Sequence, residues 1–430
     1  MMRSIRNARK GFLPVLLLLV LVISGCSSKS SGESKNVITV PDAAIWGEES
    51  SALQTMYDLY QKDHPEYKIK QVTIKEVETA LAAGEGSDLL LIDPFVAKES
   101  FKQGYVEPLD KYYEKYQYDK EMFKWAKNAY VFEGKTIGIP WNYEGLVLVY
   151  NKTLFKENGW EVPRNYNDLE SLIKEFKKKD LIPLAWGTAD CAECDTWWIT
   201  SIVNSILGPE GAKQLFSGDK KWTDPEIIEA VQRYSDFWNN GYLSDKKSHA
   251  ISQEDSMQLF AQGKAAMKLD GTWSLASDLQ TDFDIGYAPF PSWDPNGKPV
   301  IPLGVGGGLV INAKSKHKDQ VAELLSYFFH EDVVEEMAKN GIPEPINADF
   351  SNMDLKPNVA EALNLISGAA AKGETGYVVW SYGSPRVVNA IKEFPSVYLK
   401  KTTPDKWLEK LQELKEKDIV EKTLFDLGNY

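Results

Sequence analysis

The chain has 430 residues, 62 of them acidic and 49 basic, which gives a formal net charge of −13 at pH 7. This excess of negative charge opposes binding to phosphate backbones, so we expect no nucleic-acid partner. The length exceeds the size at which one hydrophobic core keeps growing, which predicts two lobes.

The first 25 residues have the pattern of an export signal. An apolar run from Phe12 to Ile23 is too short to span a bilayer as a helix, but it suits the core of a signal peptide. The run ends in I-S-G-C at Cys26, which resembles the lipobox of bacterial lipoproteins. The alternative is an ordinary secretory signal with an incidental cysteine. The basic residues that precede the run are Arg3, Arg6, Arg9 and Lys10.

The stretch that follows Cys26 has no apolar residue to bury, so it reads as a flexible tether. We expect residues 1–25 to be removed and Cys26 to carry lipid. Residues 26–36 would then tether a folded domain to the outer face of the cell membrane. Loss of the four positive charges in the signal would change the net charge from −13 to −17.

Beyond the tether, short apolar runs alternate with amphipathic helical stretches, which predicts an α/β fold. One helix begins at Pro225 and ends at Asn240-Gly241, and further apolar stripes cover 321–329 and the stretch after Pro404. The predicted strands are Val37–Val40, Leu89–Ile92, Thr136–Ile139 and Leu146–Tyr150.

Two glycine-containing stretches, 140–145 and 302–308, adjoin predicted strands and are predicted to cross between the lobes. Glycine absorbs large changes of φ and ψ, which suits a hinge. The glycine run at 306–308 is followed by a strand, and a phosphate-binding loop would instead precede a helix.

Cys191 and Cys194 are the cysteines left if Cys26 is acylated. A disulfide closing a small loop fits an extracytoplasmic chain, while free thiols and metal or redox chemistry remain alternatives. The four histidines are scattered, so we expect no metal site and no cofactor.

Aromatic residues in polar loops are the feature that points to a ligand. The chain has 13 Trp and 20 Tyr, and it lacks a G-x-S-x-G elbow, an H-E-x-x-H helix and a P-loop. An aromatic ring covers the apolar face of a sugar, while carboxylates bind its hydroxyls. The sequence therefore predicts a carbohydrate-binding protein rather than an enzyme.

Three segments resemble the family 1 extracellular solute-binding proteins, which include maltose-binding protein. They are P-W-N-Y-E-G-L-V-L-V-Y-N-K-T-L-F at 140–155, F-A-Q-G-K-A-A-M-K-L-D-G-T-W at 260–273 and G-Y-V-E-P-L-D at 104–110. The resemblance implies two α/β lobes joined by a multi-strand hinge, the periplasmic-binding-protein fold of type II. It further implies a monomer that captures a solute, an oligosaccharide, and delivers it to the membrane subunits of an ABC importer.

The expected lobe boundaries follow the crossings: residues 37–142 plus 305–345 form the first lobe, and 143–304 plus 346–430 form the second. The resemblance implies ligand contacts from Glu144, just after the hinge, and from Trp273, as a stacking ring. Asp93, Asp270 and Trp197 have structural alternatives, respectively turn capping, turn shaping and helix packing. The full set of candidate ligand-binding residues is Trp46, Asp93, Trp141, Glu144, Trp197, Asp270, Trp273, Trp380 and Tyr382.

Two other functions fit the same composition. An acidic, aromatic cleft would also hold a polyamine. A secreted glycoside-cleaving enzyme uses aromatic rings and paired carboxylates as well, but it would release a product. The segment around Cys191 and Cys194 departs from well-known members of the family, so the sequence does not identify the sugar.

Overall fold

The protein is described by a computed structural model covering residues 36–424 and 427, apart from 46, 48, 49, 121, 192, 244–249 and 276–280. The predicted export signal and Cys26 therefore lie outside the described residues. Among the helices that are described, none combines the length and the apolar character needed to cross a bilayer.

Strands and helices alternate along the chain. The strands are β1 Val37–Pro41, β2 Lys68–Val72, β3 Leu89–Ile92, β4 Val131–Phe132, β5 Lys135–Thr136, β6 Ile139–Pro140, β7 Tyr143–Asn151, β8 Ile182–Ala185, β9 Ala265–Gly271, β10 Ile285–Ala288, β11 Ile301–Val305, β12 Gly308–Ile311 and β13 Thr375–Tyr377. The helices are α1 Ser50–Asp63, α2 Val77–Ala83, α3 Pro94–Lys102, α4 Asp110–Tyr116, α5 Lys124–Asn128, α6 Lys152–Asn158, α7 Tyr166–Lys178, α8 Cys194–Ser217, α9 Pro225–Asn239, α10 Gln253–Ala261, α11 Lys318–Ser326, α12 Glu331–Lys339, α13 Pro357–Lys372, α14 Val379–Tyr382, α15 Pro385–Ile391, α16 Pro395–Tyr398 and α17 Pro404–Glu421.

The strands separate into two main groups. In the first, β12 pairs with β3 and β6, while β1 and β2 form a parallel pair nearby. In the second, a six-stranded sheet runs β13-β11-β7-β9-β8, with β10 also paired to β7. Each group packs against its own helices, such as α1, α11 and α12 for the first and α8, α9 and α17 for the second. This is the predicted two-lobed α/β architecture.

The predicted strands agree with the structure except in their bounds. The run Thr136–Ile139 is not one strand, since β5 ends at Thr136 and β6 begins at Ile139. The predicted Leu146–Tyr150 strand begins earlier, at Tyr143, because β11 pairs with the first residues of β7. The predicted helix at Pro225 is α9, and it ends at Asn239.

Two crossings between the lobes lie side by side. Residues 141 and 142 join β6 to β7, while Gly306 and Gly307 join β11 to β12. The Trp141 backbone N–H donates to the Gly307 carbonyl (2.9 Å), and the Asn142 side-chain oxygen accepts from the Gly307 N–H (2.9 Å). The resulting hydrogen bonds tie the two crossings into one hinge.

Glycine is required at this hinge for close packing. A Cβ on Gly306 would lie 2.6 Å from both Asn142 Oδ1 and Glu144 Oε1. A Cβ on Gly308 would lie 2.1 Å from the Tyr130 ring. A side chain at either position would therefore displace neighbours that line or support the hinge.

A third crossing runs from α12 to α13 through a buried stretch at 341–346. The Pro343 carbonyl accepts a hydrogen bond from the Tyr143 N–H (3.2 Å), so this crossing is attached to the start of β7. Glu344 is buried here, and neither of its carboxyl oxygens has a hydrogen-bond partner among the described residues. Burial raises the pKa of Glu344 well above its ordinary value, which keeps the carboxyl neutral.

Asp195, in the first turn of α8, is buried in the second lobe, where the Tyr234 hydroxyl donates a hydrogen bond to it (3.1 Å). Burial raises the pKa of Asp195 to about 7, and the bond from Tyr234 partly opposes the shift. Because the unfolded chain releases this proton at lower pH, the free energy of unfolding falls as pH rises from about 4 to about 7.

We expect Asp195→Asn to remove this pH dependence. At pH 8 the variant should be more stable than the parent by up to about 4 kcal/mol, and the difference should shrink towards zero near pH 4. Urea unfolding at both pH values measures the change. The exposed Asp282→Asn is the control, and equal effects of the two variants at pH 8 would contradict the assignment.

Candidate functional site

Two adjoining cavities open between the lobes, and both are lined by Asp93 and Val96. The larger has a volume of about 490 Å³ and the smaller about 250 Å³. The larger is lined by Lys75, Val77, Glu78, Leu91, Ile92, Asp93, Val96, Asn142, Glu144, Gly306 and Gly307. The smaller is lined by Asp93, Phe95, Val96, Lys98, Trp380, Ser381, Gly383, Val388, Asn389 and Thr423.

Two further cavities, each greater in volume than either of these, lie away from the cleft, and each is lined by a single lobe. One, of about 670 Å³, is lined by residues of the first lobe around Asp42 and Gln54. The other, of about 610 Å³, is lined by residues of the second lobe around Lys152 and Tyr287. Since neither has walls from both lobes, lobe closure would not enclose a ligand there.

Asp93 ends β3 and begins α3. One of its carboxyl oxygens accepts a hydrogen bond from the Val96 N–H (2.9 Å), which caps the helix. The side chain is also exposed and borders both cavities. Capping and a position in the cleft therefore coexist, because a carboxylate has lone pairs for several donors.

Glu144 lies on β7 at the floor of the larger cavity. The Trp380 indole N–H donates to its Oε2 (2.7 Å), and its Oε1 lies next to Gly306. Burial raises the pKa of Glu144, and the bond from Trp380 partly opposes that shift. One oxygen is thus held by the second lobe, while the carboxyl still borders the cavity.

Three tryptophans form a row in the second lobe. The ring centroids of Trp380 and Trp273 are 6.1 Å apart, and those of Trp273 and Trp197 are 4.8 Å apart. All three are partly exposed. Of the three, Trp380 borders the smaller cavity; the Trp273 ring packs beside it, and the Trp197 ring packs in turn beside Trp273. Ligand contact by these two residues stays a prediction.

Three other candidates are buried and need correction. Trp141 packs against Phe328 in the core of the first lobe, with ring centroids 5.1 Å apart. Asp270 is paired with Lys268 inside the second lobe, and both are almost fully buried. Tyr382 lies in the core, its ring edge-on to that of Tyr377. Because none of the three borders the cleft cavities, we withdraw them as ligand contacts.

The remaining candidates concern the cysteines and the first strand. Cys191 and Cys194 are joined by a disulfide, with sulfur atoms 1.98 Å apart, at the start of α8. Trp197 follows on the same helix, so the disulfide restrains the turn that presents this ring. Trp46 lies outside the described residues.

Sequence reasoning missed several residues that border the cavities, among them Phe95, Lys98 and Asn142. Phe95 follows Asp93 and Pro94 in a segment already considered, and its place in the first turn of a helix that follows a strand could have identified it. Asn142 had a weaker signal, because its polar side chain sits in a hinge motif whose neighbours are buried. Lys98 carried no signal, since it is one of many charged helix residues.

Comparison with known proteins places these features in a family. The model of the bacterial extracellular solute-binding proteins matches residues 44–335. Among relatives, a maltodextrin-binding protein of Bacillus subtilis is 24% identical, over 90% of this chain and 97% of its own length. A multiple sugar-binding protein of Streptococcus mutans is 25% identical, over 74% and 77%.

Solved structures share the fold. A chitin oligosaccharide binding protein superposes with a TM-score of 0.74 at 19% identity, covering 89% of this chain and 98% of its own. A solute-binding protein in complex with raffinose gives 0.70 at 19% identity, covering 88% and 98%. With a family match over most of its length and a hinged cleft between two α/β lobes, the chain belongs to the bacterial extracellular solute-binding proteins.

Proposed function

We propose that the protein captures a carbohydrate, an oligosaccharide, in the cleft between its lobes and delivers it intact to the membrane subunits of an ABC importer. The observation that carries the proposal is the composition of the two cavities. The carboxyl groups of Asp93 and Glu144 border the larger cavity, and the rings of Phe95 and Trp380 border the adjoining smaller one, which Asp93 also lines. Carboxyl groups bind the hydroxyls of a sugar, and aromatic rings bind its apolar faces.

The relatives support a carbohydrate over other solutes. Those named above bind maltodextrins and multiple sugars, and the structural neighbours bind chitin oligosaccharide and raffinose. At sequence identities of 25% or less, the particular sugar that one protein binds cannot be assigned to another. We therefore propose only the class of ligand.

The charges of the cleft favour a neutral ligand over a polyamine. Lys75 lines the larger cavity, and Lys98 lines the smaller one. A polycation would be attracted to the carboxyls of Glu78, Asp93 and Glu144 but repelled by these two ammonium groups, so the lining has mixed charge with one carboxyl in excess. A neutral saccharide can accept hydrogen bonds from the lysines and donate to the carboxylates.

The proposed cycle is a population shift between an open and a closed form. A solute that bridges both walls binds the closed form more tightly, because only that form makes all the contacts at once. The importer would then recognise the closed form. We further propose that the lobe boundaries follow the hinge crossings, that the protein acts as a monomer, and that lipid on Cys26 holds it at the outer face of the membrane.

A thermal-shift and calorimetry panel tests the ligand class. Maltotriose, raffinose, diacetylchitobiose and xylotriose are compared with spermidine and putrescine. A saccharide present at 100 times its Kd should add about 2.7 kcal/mol to the free energy of unfolding, while the polyamines should add nothing. Chromatography of the recovered saccharide should show it unchanged. A response to polyamines alone, or the release of a shorter sugar, would contradict the proposal.

A further inference from the structure

A buried carboxylate in the second lobe holds together the wall of the smaller cavity. Asp418, on α17, is 2% exposed and accepts hydrogen bonds from the Ser384 hydroxyl, from Arg386 Nη1 (2.8 Å) and from the Thr423 hydroxyl (3.0 Å). These four residues are called the Asp418 cluster. It joins three parts of the chain: the last helix, the segment after it and the start of α15.

Two of the three partners of Asp418 belong to, or adjoin, the cavity lining. Thr423 itself lines the smaller cavity, and Ser384 follows the lining residue Gly383. The Ser384 hydroxyl also caps α15, accepting from the Val387 N–H (3.4 Å). The wall that the Asp418 cluster supports, here called the C-terminal wall, consists of Gly383, Val388, Asn389 and Thr423.

The C-terminal wall faces the first lobe across the smaller cavity. On the opposite side are Asp93, Phe95, Val96 and Lys98, and the larger cavity begins beyond Asp93. A solute that fills the larger cavity reaches the C-terminal wall only if it is long enough to pass Asp93. The position of this wall therefore limits the length of the bound solute.

We propose that Asp418 is a positioning residue that fixes the C-terminal wall and thereby sets how the protein selects among oligosaccharides of different length. The inference rests on the proposed function and adds a determinant of specificity to it. Asp418 does not touch the cavity; it acts through Ser384 and Thr423. Its carboxylate is well suited to this role, since one acceptor group satisfies three donors from two separate segments, the start of α15 and the residues after α17.

Asp418→Asn should disturb the wall while leaving the lobe folded. An amide retains one acceptor oxygen, while its NH₂ group can donate to a hydroxyl of Ser384 or Thr423 but cannot accept from either of them or from Arg386; at least one of the hydrogen bonds that Asp418 accepts is therefore lost, together with the negative charge that binds Arg386. Glu421→Gln is the matched control, because Glu421 binds the other end of the same guanidinium, at Arg386 Nη2 (2.6 Å), and lies on the surface. Loss of that surface ion pair leaves Asp418 and its cavity-side partners in place.

The experiment has two readouts on the parent protein, Asp418→Asn and Glu421→Gln. The first is amide hydrogen exchange without ligand, in which Asp418→Asn should accelerate exchange at 383–389 and 423 and Glu421→Gln should not. The second is calorimetry with maltose, maltotriose, maltotetraose and maltopentaose, and with sucrose, raffinose and stachyose. Among the saccharides that bind the parent protein, Asp418→Asn should raise the Kd of the longest at least tenfold. It should change the Kd of the shortest less than twofold.

Unchanged exchange at 383–389 and 423 would overturn the inference whatever the ligand is. An equal loss of affinity at every length, or no loss, would also overturn it, because it would show that the cluster has only a structural role. If neither series binds even to the parent protein, selection by saccharide length is overturned for these sugars. The panel with xylotriose, diacetylchitobiose and spermidine then decides separately whether the proposed function fails too.

Discussion

Replacing Trp380 with alanine is expected to weaken carbohydrate binding by about 100-fold without unfolding the protein. The ring borders the smaller cavity, and stacking on a sugar face contributes about 1 kcal/mol per 50 Å² or so of apolar area removed from water. The indole N–H also fixes the Glu144 carboxylate at 2.7 Å; without it the carboxylate can turn away from the sugar hydroxyl that we propose it binds, and a hydrogen bond to a charged group contributes about 1.5–3 kcal/mol. Together the losses amount to roughly 3 kcal/mol, or about two decades in Kd.

Trp380→Phe separates the two contributions, since it retains an aromatic plate and removes only the N–H donor. It should lose roughly tenfold in affinity, measured by calorimetry. The control is Trp293→Ala, which removes a partly exposed tryptophan that packs on Tyr166 (ring centroids 4.2 Å apart) in the same lobe. Equal affinities for Trp380→Ala and Trp293→Ala would show that the Trp380 ring does not face the ligand.

Glu144→Ala is expected to have an effect of similar size, about 100-fold. The change removes a carboxylate that borders the larger cavity, and it leaves the Trp380 N–H without its acceptor. Glu144→Gln should lose about tenfold, because a neutral amide oxygen still accepts from Trp380 but binds a sugar hydroxyl less strongly than a carboxylate does. Glu99→Gln, a change at an exposed ion pair with Lys102 on α3, should leave affinity unchanged.

The pH dependence of binding shows whether Glu144 contributes to affinity through its negative charge or only through the shape of its side chain. Burial raises the pKa of this carboxyl, and the ionised form is the stronger acceptor for sugar hydroxyls. Affinity of the parent protein should therefore fall as the pH is lowered through the raised pKa, and it should be restored as the pH increases. Glu144→Gln should show a flat profile over the same range. A parent profile as flat as that of the variant would rule out a charged Glu144 in the site.

The fold was predictable because its signals are local. Strand runs such as Leu89–Ile92 and the start of α9 at Pro225 depend on neighbours in sequence. The resemblance in 140–155 and 260–273 extended these signals to the two-lobed architecture. The split between β5 and β6 was missed, since a short apolar run carries no sign of where pairing stops.

Prediction of the site was less complete because the direction of a side chain depends on distant partners. Trp141 and Trp380 both lie beside polar residues, yet Trp141 packs on Phe328, which no pattern around Trp141 reveals. Asp270 did have a local signal. Lys268 stands two residues earlier on the same strand, and residues i and i+2 of a strand share a face, so an internal ion pair could have been expected. The Asp418 cluster joins segments up to 39 residues apart and had no such signal.

Lobe closure on an intact solute is the central claim, and small-angle X-ray scattering measures it directly. With the saccharide that the panel identifies, at saturating concentration, the radius of gyration of the parent protein should decrease. At about ten times the Kd of the parent protein, which occupies about nine-tenths of the parent but only about one-tenth of a variant with a 100-fold higher Kd, Trp380→Ala should keep a radius close to that of the ligand-free form. A parent radius that stays constant at saturation would contradict the account, because the two walls would then bind the solute without coming together.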